Sequence, residues 1–195
     1  MEKKQRCPWC EDGGLLQRYH DEEWGTPLHC DRKHFEYISL EVLQCGLNWL
    51  MMLKKREIFR ECFDDFDYEK IALYGEERVG EIMDRPGMIR SPRKIGAIIN
   101  NARRFLAVRE EFGSFDRYIW GFSGGKSVLY TDMRDAATSR LSDEVSRDLK
   151  KRGFKYLGSV TVYAHLEACG IINDHSAFCW KYGPLAENCV QTGKY

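Results

Sequence analysis

The chain has 195 residues, 43% of them hydrophobic and 13% aromatic, enough to bury a core in one domain or in two intimately packed lobes. Thirty basic residues balance thirty acidic ones, so overall charge gives no sign of nucleic-acid binding, which must rest on local patches. No apolar run reaches the roughly 18 to 20 residues of a membrane span, and the polar start Met1-Glu2-Lys3-Lys4-Gln5-Arg6 lacks the apolar core of a signal peptide, which places the protein in the cytoplasm.

The eight cysteines of a chain this long, without a secretion signal, read as reduced thiols or metal ligands. Cys7-Pro8-Trp9-Cys10 has thioredoxin-type spacing but no preceding strand, and no H-x-E partner of a zinc deaminase fits upstream of it. Phe35, Ile38, Val42 and Cys45 form a helical apolar stripe. Asp67 is placed to cap a helix running to Gly75, and Val79, Ile82 and Met83 define another that Pro86-Gly87 ends. Ile95, Ile98, Ile99, Ala102, Phe105 and Leu106 form a second long stripe. Residues 122 to 139 hold Gly124-Gly125 and no sustained period, which reads as an exposed connection. Ser142, followed by two acids, is a good start for a helix that Gly153 stops. Val160-Thr161-Val162-Tyr163 is strand-like in propensity, but Gly170 as a C-cap favours a helix over 159–169. Residues 186–195 read as a polar tail behind a single helical domain of two lobes over 1–185.

Cys7 and His20 near one end, and His175 and Cys179 near the other, together offer the Cys2His2 set of a closed structural zinc site that would clip the termini together. His175 and Cys179 stand four apart, so one helical turn would put both on one face. Ordinary buried thiols and hydrogen-bonded histidines are the alternative. Lys150, Lys151, Arg152 and Lys155 flank a glycine-bounded turn between two predicted helices, a helix-hairpin-helix pattern suited to phosphate, or else a solvated basic helix end. Trp9, Tyr19, Trp24 and Trp49 could sandwich a flat ligand or simply be core. Glu41 borders the first apolar stripe, where a carboxylate needs either an ion-pair partner or a function.

Four motifs, Tyr19-His20-Asp21-Glu22-Glu23-Trp24-Gly25, Leu40-Glu41 to Trp49, Lys151-Arg152-Gly153-Phe154-Lys155, and Ala168-Cys169-Gly170-Ile171-Ile172-Asn173-Asp174-His175, stand in one order along the chain. With them the chain closely resembles, from about Cys7 to Cys179, the constitutive bacterial 3-methyladenine DNA glycosylases of the helix-hairpin-helix superfamily. The resemblance implies an all-α helix-hairpin-helix glycosylase fold, one Zn2+ held by Cys7, His20, His175 and Cys179, and excision of 3-methyladenine from double-stranded DNA by base flipping. It makes Glu41 the base-recognition and catalytic acid and Trp9, Tyr19, Trp24 and Trp49 the pocket rings. Gly46 and Leu47 would approach the gap left by the flipped nucleotide, and Lys150, Lys151, Arg152, Lys155, Gly158 and Ser159 would meet DNA. Val160 stands where bifunctional relatives carry a lysine nucleophile, so no lyase activity is implied. Leu16 replaces a pocket tyrosine, Tyr156 replaces a hairpin glycine, and Asp174 is left a structural or secondary residue. A monomer suffices for one pocket and one flipped base. A binding module that holds DNA without cleaving it and a zinc-dependent hydrolase with an open metal position are the rival readings.

Overall fold

The computed structural model describes residues 4–10, 13–130, 136–187 and 189–192. Its described elements are α1 (Leu15–Glu22), α2 (Asp31–Gln44), α3 (Trp49–Cys62), α4 (Tyr68–Ile71), α5 (Glu76–Asp84), α6 (Pro92–Phe112), α7 (Phe115–Gly121), β1 (Val128–Tyr130), α8 (Arg140–Lys151), α9 (Ser159–Ala168), α10 (Tyr182–Ala186) and β2 (Val190–Thr192). The fold is mainly helical, as expected.

Helix α2 sits at the centre and packs against α3, α6, α7 and α9. From His34 to Leu43 every residue is buried, so the stripe of Phe35, Ile38 and Val42 is one side of a helix enclosed on all sides. The second stripe behaves as expected: Ile95, Ile98, Ile99, Ala102 and Phe105 are buried on α6, and Phe105 stacks on Phe115 at 4.2 Å.

Local chemistry sets the helix ends, not always where spacing suggests. Asp67 accepts hydrogen bonds from the Glu69 and Lys70 amides, but α4 stops at Ile71 and does not reach Gly75. Arg103 binds the Ala72 carbonyl at 2.8 Å and the Tyr74 carbonyl at 3.3 Å, satisfying the groups that a further turn would have used. Helix α8 begins at Arg140, earlier than Ser142. Ser139 is its cap, and Ser142 closes a reciprocal box, with Ser142 N donating to Ser139 Oγ at 3.1 Å and Ser139 N to Ser142 Oγ at 2.8 Å. Helix α9 is helical despite its β-branched residues, because Val162, Tyr163 and Leu166 are buried where it meets α2 and α8.

The stretch expected to be an exposed connection over 122–139 departs most. Val128 and Leu129 are buried, and Val128–Tyr130 pairs in parallel with Val190–Thr192, within the segment read as a polar tail. The Val128 amide also donates to Ile171 at 2.7 Å, and the Asn173 amide returns to the Val128 carbonyl at 2.9 Å. An apolar pair between polar neighbours is too short to register as a period, yet long enough to add a strand. Residues 131–135 of that connection, and 188 and 193–195 of the tail, lie outside the described residues.

Candidate active site and metal centre

Cys7, His20, His175 and Cys179 are all buried and bring one donor atom each into a single group. Cys7 Sγ lies 3.5 Å from His175 Nδ1, Cys179 Sγ lies 3.6 Å from the same atom, and Cys179 Sγ lies 3.4 Å from His20 Nε2. A tetrahedral ion with bonds of 2.0–2.3 Å sets its donors about 3.3–3.8 Å apart, so the residues present fit zinc. His175 and Cys179 meet through a turn closed by Cys179 N donating to Ser176 at 2.7 Å, not on the single helical turn that their spacing suggests. Cys10 is not of the group; its thiol donates to the Cys7 carbonyl at 3.1 Å.

The surroundings suit a cation. Asp21 holds His20 Nδ1 at 2.9 Å, turning Nε2 toward the centre, and is itself bound by Arg6, chiefly for which its carboxyl is lowered to about 2. Burial lowers His175 to about 3, which keeps its ring neutral, and raises the Cys7 thiol to about 12. Gly25 has φ +71°, and any side chain there would collide with the His175 ring.

Glu41 lies on α2 with only 5% of its surface exposed. Among the described residues its carboxyl has no hydrogen-bond or ion-pair partner, and burial alone raises it to about 8. The aromatic residues singled out in the sequence do gather: Trp9 lies 6.4 Å from Tyr19 and 5.0 Å from Trp24 between ring centroids, and Tyr19 lies 5.4 Å from Trp49. Tyr19 is within the electrostatic reach of Glu41. The Trp49 Nε1–H is buried with no partner among the described residues, a second unmet polar group beside the same rings. Trp24 meets the His175 ring at 4.6 Å, joining the aromatic group to the metal-capable one.

Three features escaped the sequence reading. Arg56 bridges Glu23 at 2.7 Å and Glu36 at 2.8 Å, while Tyr37 donates to Glu23 at 2.9 Å, so α2 and α3 and the end of α1 are tied by a largely buried charge network. Glu167, near the end of the otherwise apolar α9, is raised well above the usual carboxyl range by burial and then by its hydrogen bond to Asp174, and it feels Glu41. Its lone charge in an apolar helix was the available signal. Lys181 donates to the carbonyls of His20 at 2.9 Å and Trp24 at 2.7 Å, fixing the chain beside the metal-capable group.

The basic turn is assembled, though its cations are not equivalent. Lys150, Lys151 and Lys155 are exposed. Arg152 is engaged by Glu111 at 2.6 Å and Asp148 at 2.6 Å. Tyr156 takes φ +62°, the left-handed conformation that glycine adopts without strain. Gly158 caps α9, and the Ser159 hydroxyl lies 2.8 Å from Ser142 Oγ and donates to Asp143. Gly46 has φ +83°, exposed, with open space around it, and Leu47 beside it is half-buried. Lys94 holds the approach to that loop by donating to the Leu43 and Cys45 carbonyls at 2.6 and 2.7 Å. Leu16 is half-buried and packs against the group of Cys7, Cys10 and Cys179.

A helical protein with an unpaired buried carboxyl within electrostatic reach of one of several gathered rings, and an exposed basic turn, has the makings of an enzyme that acts on a base. A family model described as methyladenine glycosylase matches residues 9–182. DNA-3-methyladenine glycosylase 1 of Escherichia coli (strain K12) is 41% identical over 181 residues, covering 91% of this chain and 97% of the relative. DNA-3-methyladenine glycosylase of Haemophilus influenzae is 39% identical over 177 residues, covering 89% of this chain and 96% of the relative. Among solved structures, a crystal structure of 3-methyladenine DNA glycosylase I aligns with a TM-score of 0.86 at 41% identity, covering 91% of this chain and all of the other. The enzyme of that name from Staphylococcus aureus, in a structure on its recognition of 3-methyladenine, aligns with a TM-score of 0.85 at 33% identity, covering 91% and 96%. The chain belongs to the methyladenine glycosylase family.

Proposed function

We propose that the protein is a monofunctional DNA glycosylase that flips 3-methyladenine out of alkylated duplex DNA and hydrolyses its N-glycosidic bond. The observation that carries this reading is Glu41: a carboxyl 5% exposed, without a hydrogen-bond or ion-pair partner among the described residues, within electrostatic reach of Tyr19, whose ring lies 5.4 Å from that of Trp49. Burying such a group costs several kcal/mol unless a ligand compensates. N3-methylated adenine in DNA is a cation, so breaking the glycosidic bond expels a neutral base and needs less help than expelling an ordinary purine. Approach of that cation favours the Glu41 carboxylate over the neutral acid by direct Coulomb attraction. Glu41 then accepts hydrogen bonds from the base, the Trp49 Nε1–H can donate to it, and the rings of Trp9, Tyr19, Trp24 and Trp49 attract its positive face. As the bond breaks, positive charge moves to the sugar, where the same carboxylate can stabilise it.

Lys150, Lys151 and Lys155 meet the phosphates, with Gly158 and Ser159 at the start of α9 and Gly46 and Leu47 at the gap in the duplex. Arg152, committed to Glu111 and Asp148, positions the turn more than it binds. Cys7, His20, His175 and Cys179 hold one Zn2+, which supplies a structural cross-link and no open coordination position. Val160, 59% exposed, is the second residue of α9, where a lyase would need an amine. The protein acts as a cytoplasmic monomer; among the described residues no helix is long and apolar enough to cross a membrane.

The test is incubation with methylated duplex DNA, with chromatography of the free bases and borohydride trapping in parallel. Release of 3-methyladenine without a trapped protein–DNA adduct is the expected result. No release from folded, zinc-loaded protein would overturn the reading, and a covalent adduct would overturn its monofunctional part.

A further inference from the structure

A second group of metal-capable side chains lies between α2 and the end of α9. His34, His165 and Cys169 are 0%, 3% and 0% exposed, and one donor atom from each lies within 4.8 Å of the others. Their polar contacts are few. His34 Nε2 lies 3.3 Å from Asp116 Oδ1, which also meets His29 Nδ1 at 3.0 Å, and the Leu28 carbonyl adds a weaker attraction to the His34 ring. His34 Nδ1 and both nitrogens of His165 have no hydrogen-bond partner among the described residues. Cys169 Sγ makes a long contact, 3.6 Å, with the Leu166 carbonyl, and the Ile171 amide donates toward it. An unmet buried polar group costs about 1–3 kcal/mol, so a ring with neither nitrogen paired calls for an explanation.

Ligation supplies one. Asp116, by accepting from His34 Nε2–H, leaves Nδ1 with its lone pair, the way a carboxylate orients a ligating imidazole. Burial, and then the neighbouring His34, hold His165 well below its ordinary value, so its ring too is neutral. Two imidazoles and a thiol exclude Mg2+ and Ca2+, which take oxygen donors.

We propose that His34, His165 and Cys169 form a second, buried metal site for a thiophilic monovalent ion, Cu+. Three donors suit a trigonal copper centre, whereas closed zinc sites take four. On binding, Cu+ replaces the Cys169 thiol proton, which leaves for solvent, so the thiolate, the monovalent ion and the two neutral rings sum to zero, with the Asp116 carboxylate held on the other nitrogen of the His34 ring. The donors must close from within 4.8 Å to about 3.5 Å, a movement on the order of 1 Å. The bound ion would pin α2, about two turns before Glu41, to the end of α9, two residues past Glu167.

The experiment uses the full chain, reduced, zinc-loaded and kept free of oxygen. It is titrated with Cu+ and separately with Zn2+, and bound ions are counted by native mass spectrometry. His165→Phe fills the space with an apolar ring, and Cys169→Ala makes a smaller change should the first not fold. The expected result is one more Cu+ per chain in the wild type than in either variant, since displacement at the Cys2His2 group would be common to all three. Equal Cu+ counts in wild type and folded variants would overturn the site. An extra ion found with Zn2+ and not with Cu+ would overturn the assignment to copper.

Discussion

At Glu41 the energetic cost and the function coincide. Its carboxyl is raised to about 8 by burial, so around neutral pH the folded protein keeps a proton that the unfolded chain gives up near pH 4.5. The sign follows: the native state binds more protons over that window, so this residue's contribution is fully favourable below about 4.5 and is lost as pH rises through about 8. Glu41→Gln removes the titration. In urea unfolding the variant should match the wild type at pH 5 and exceed it by about 2 kcal/mol or more at pH 9. Equal curves at both pH values would mean that the carboxyl is not desolvated. Tyr156 is the second residue-scale case, since its φ of +62° is one that glycine takes freely while its side chain is 42% exposed. Tyr156→Gly should raise stability by about 0.5–1 kcal/mol, the relief of the left-handed backbone less the entropy gained by the unfolded chain. A loss of stability would show that the ring packs more than its exposure suggests.

At the scale of elements, α2 and α3 depend on charge as well as on apolar packing. Arg56 touches both Glu23 and Glu36 and is itself buried; Arg56→Ala would leave Glu36 to Arg60 and Lys33 and Glu23 to Tyr37 and Lys33, and should cost about 1.5–3 kcal/mol by chemical denaturation. A cost below about 1 kcal/mol would mean that water reaches the network. This network also shows what is legible in a sequence and what is not. Phe35, Ile38 and Val42, and the longer run from Ile95 to Phe105, are readable because a helix repeats every 3.6 residues. That Glu23, Glu36 and Arg56 meet is not, because pairing across three segments leaves no local period. Helix starts were recovered to within a turn: Ser142 signals α8 but is its third residue, closing a box opened by Ser139. The end of α4 was missed since Arg103, far along the chain, takes the Ala72 and Tyr74 carbonyls that a further turn would have used. Val128–Tyr130 was missed because a three-residue strand paired with residues near the chain's end has no spacing of its own.

Across the whole molecule, the start of the described chain and its last elements are held to one another at several points. Trp180 N donates to the Gln5 carbonyl at 3.0 Å, Lys181 reaches back to His20 and Trp24, and the donor atoms of Cys7, His20, His175 and Cys179 converge. The candidate ligands were legible as types and as two pairs; their meeting was given by resemblance, not by spacing. If one zinc closes this group, chelation should lower the melting temperature by several degrees, and loading should release protons because the Cys7 thiol, at about 12, must ionise. Affinity should therefore fall as pH falls. Unchanged melting in excess chelator, with the metal shown to be gone, would remove the clip from the account. The proposed function rests on Glu41. Its most direct test is chromatography of bases released from methylated duplex DNA by wild type and Glu41→Gln side by side, at matched folding and zinc content. Release of 3-methyladenine by the wild type, reduced at least tenfold in the variant, a barrier change of about 1.4 kcal/mol or more, is the expected result; equal release by both would contradict it.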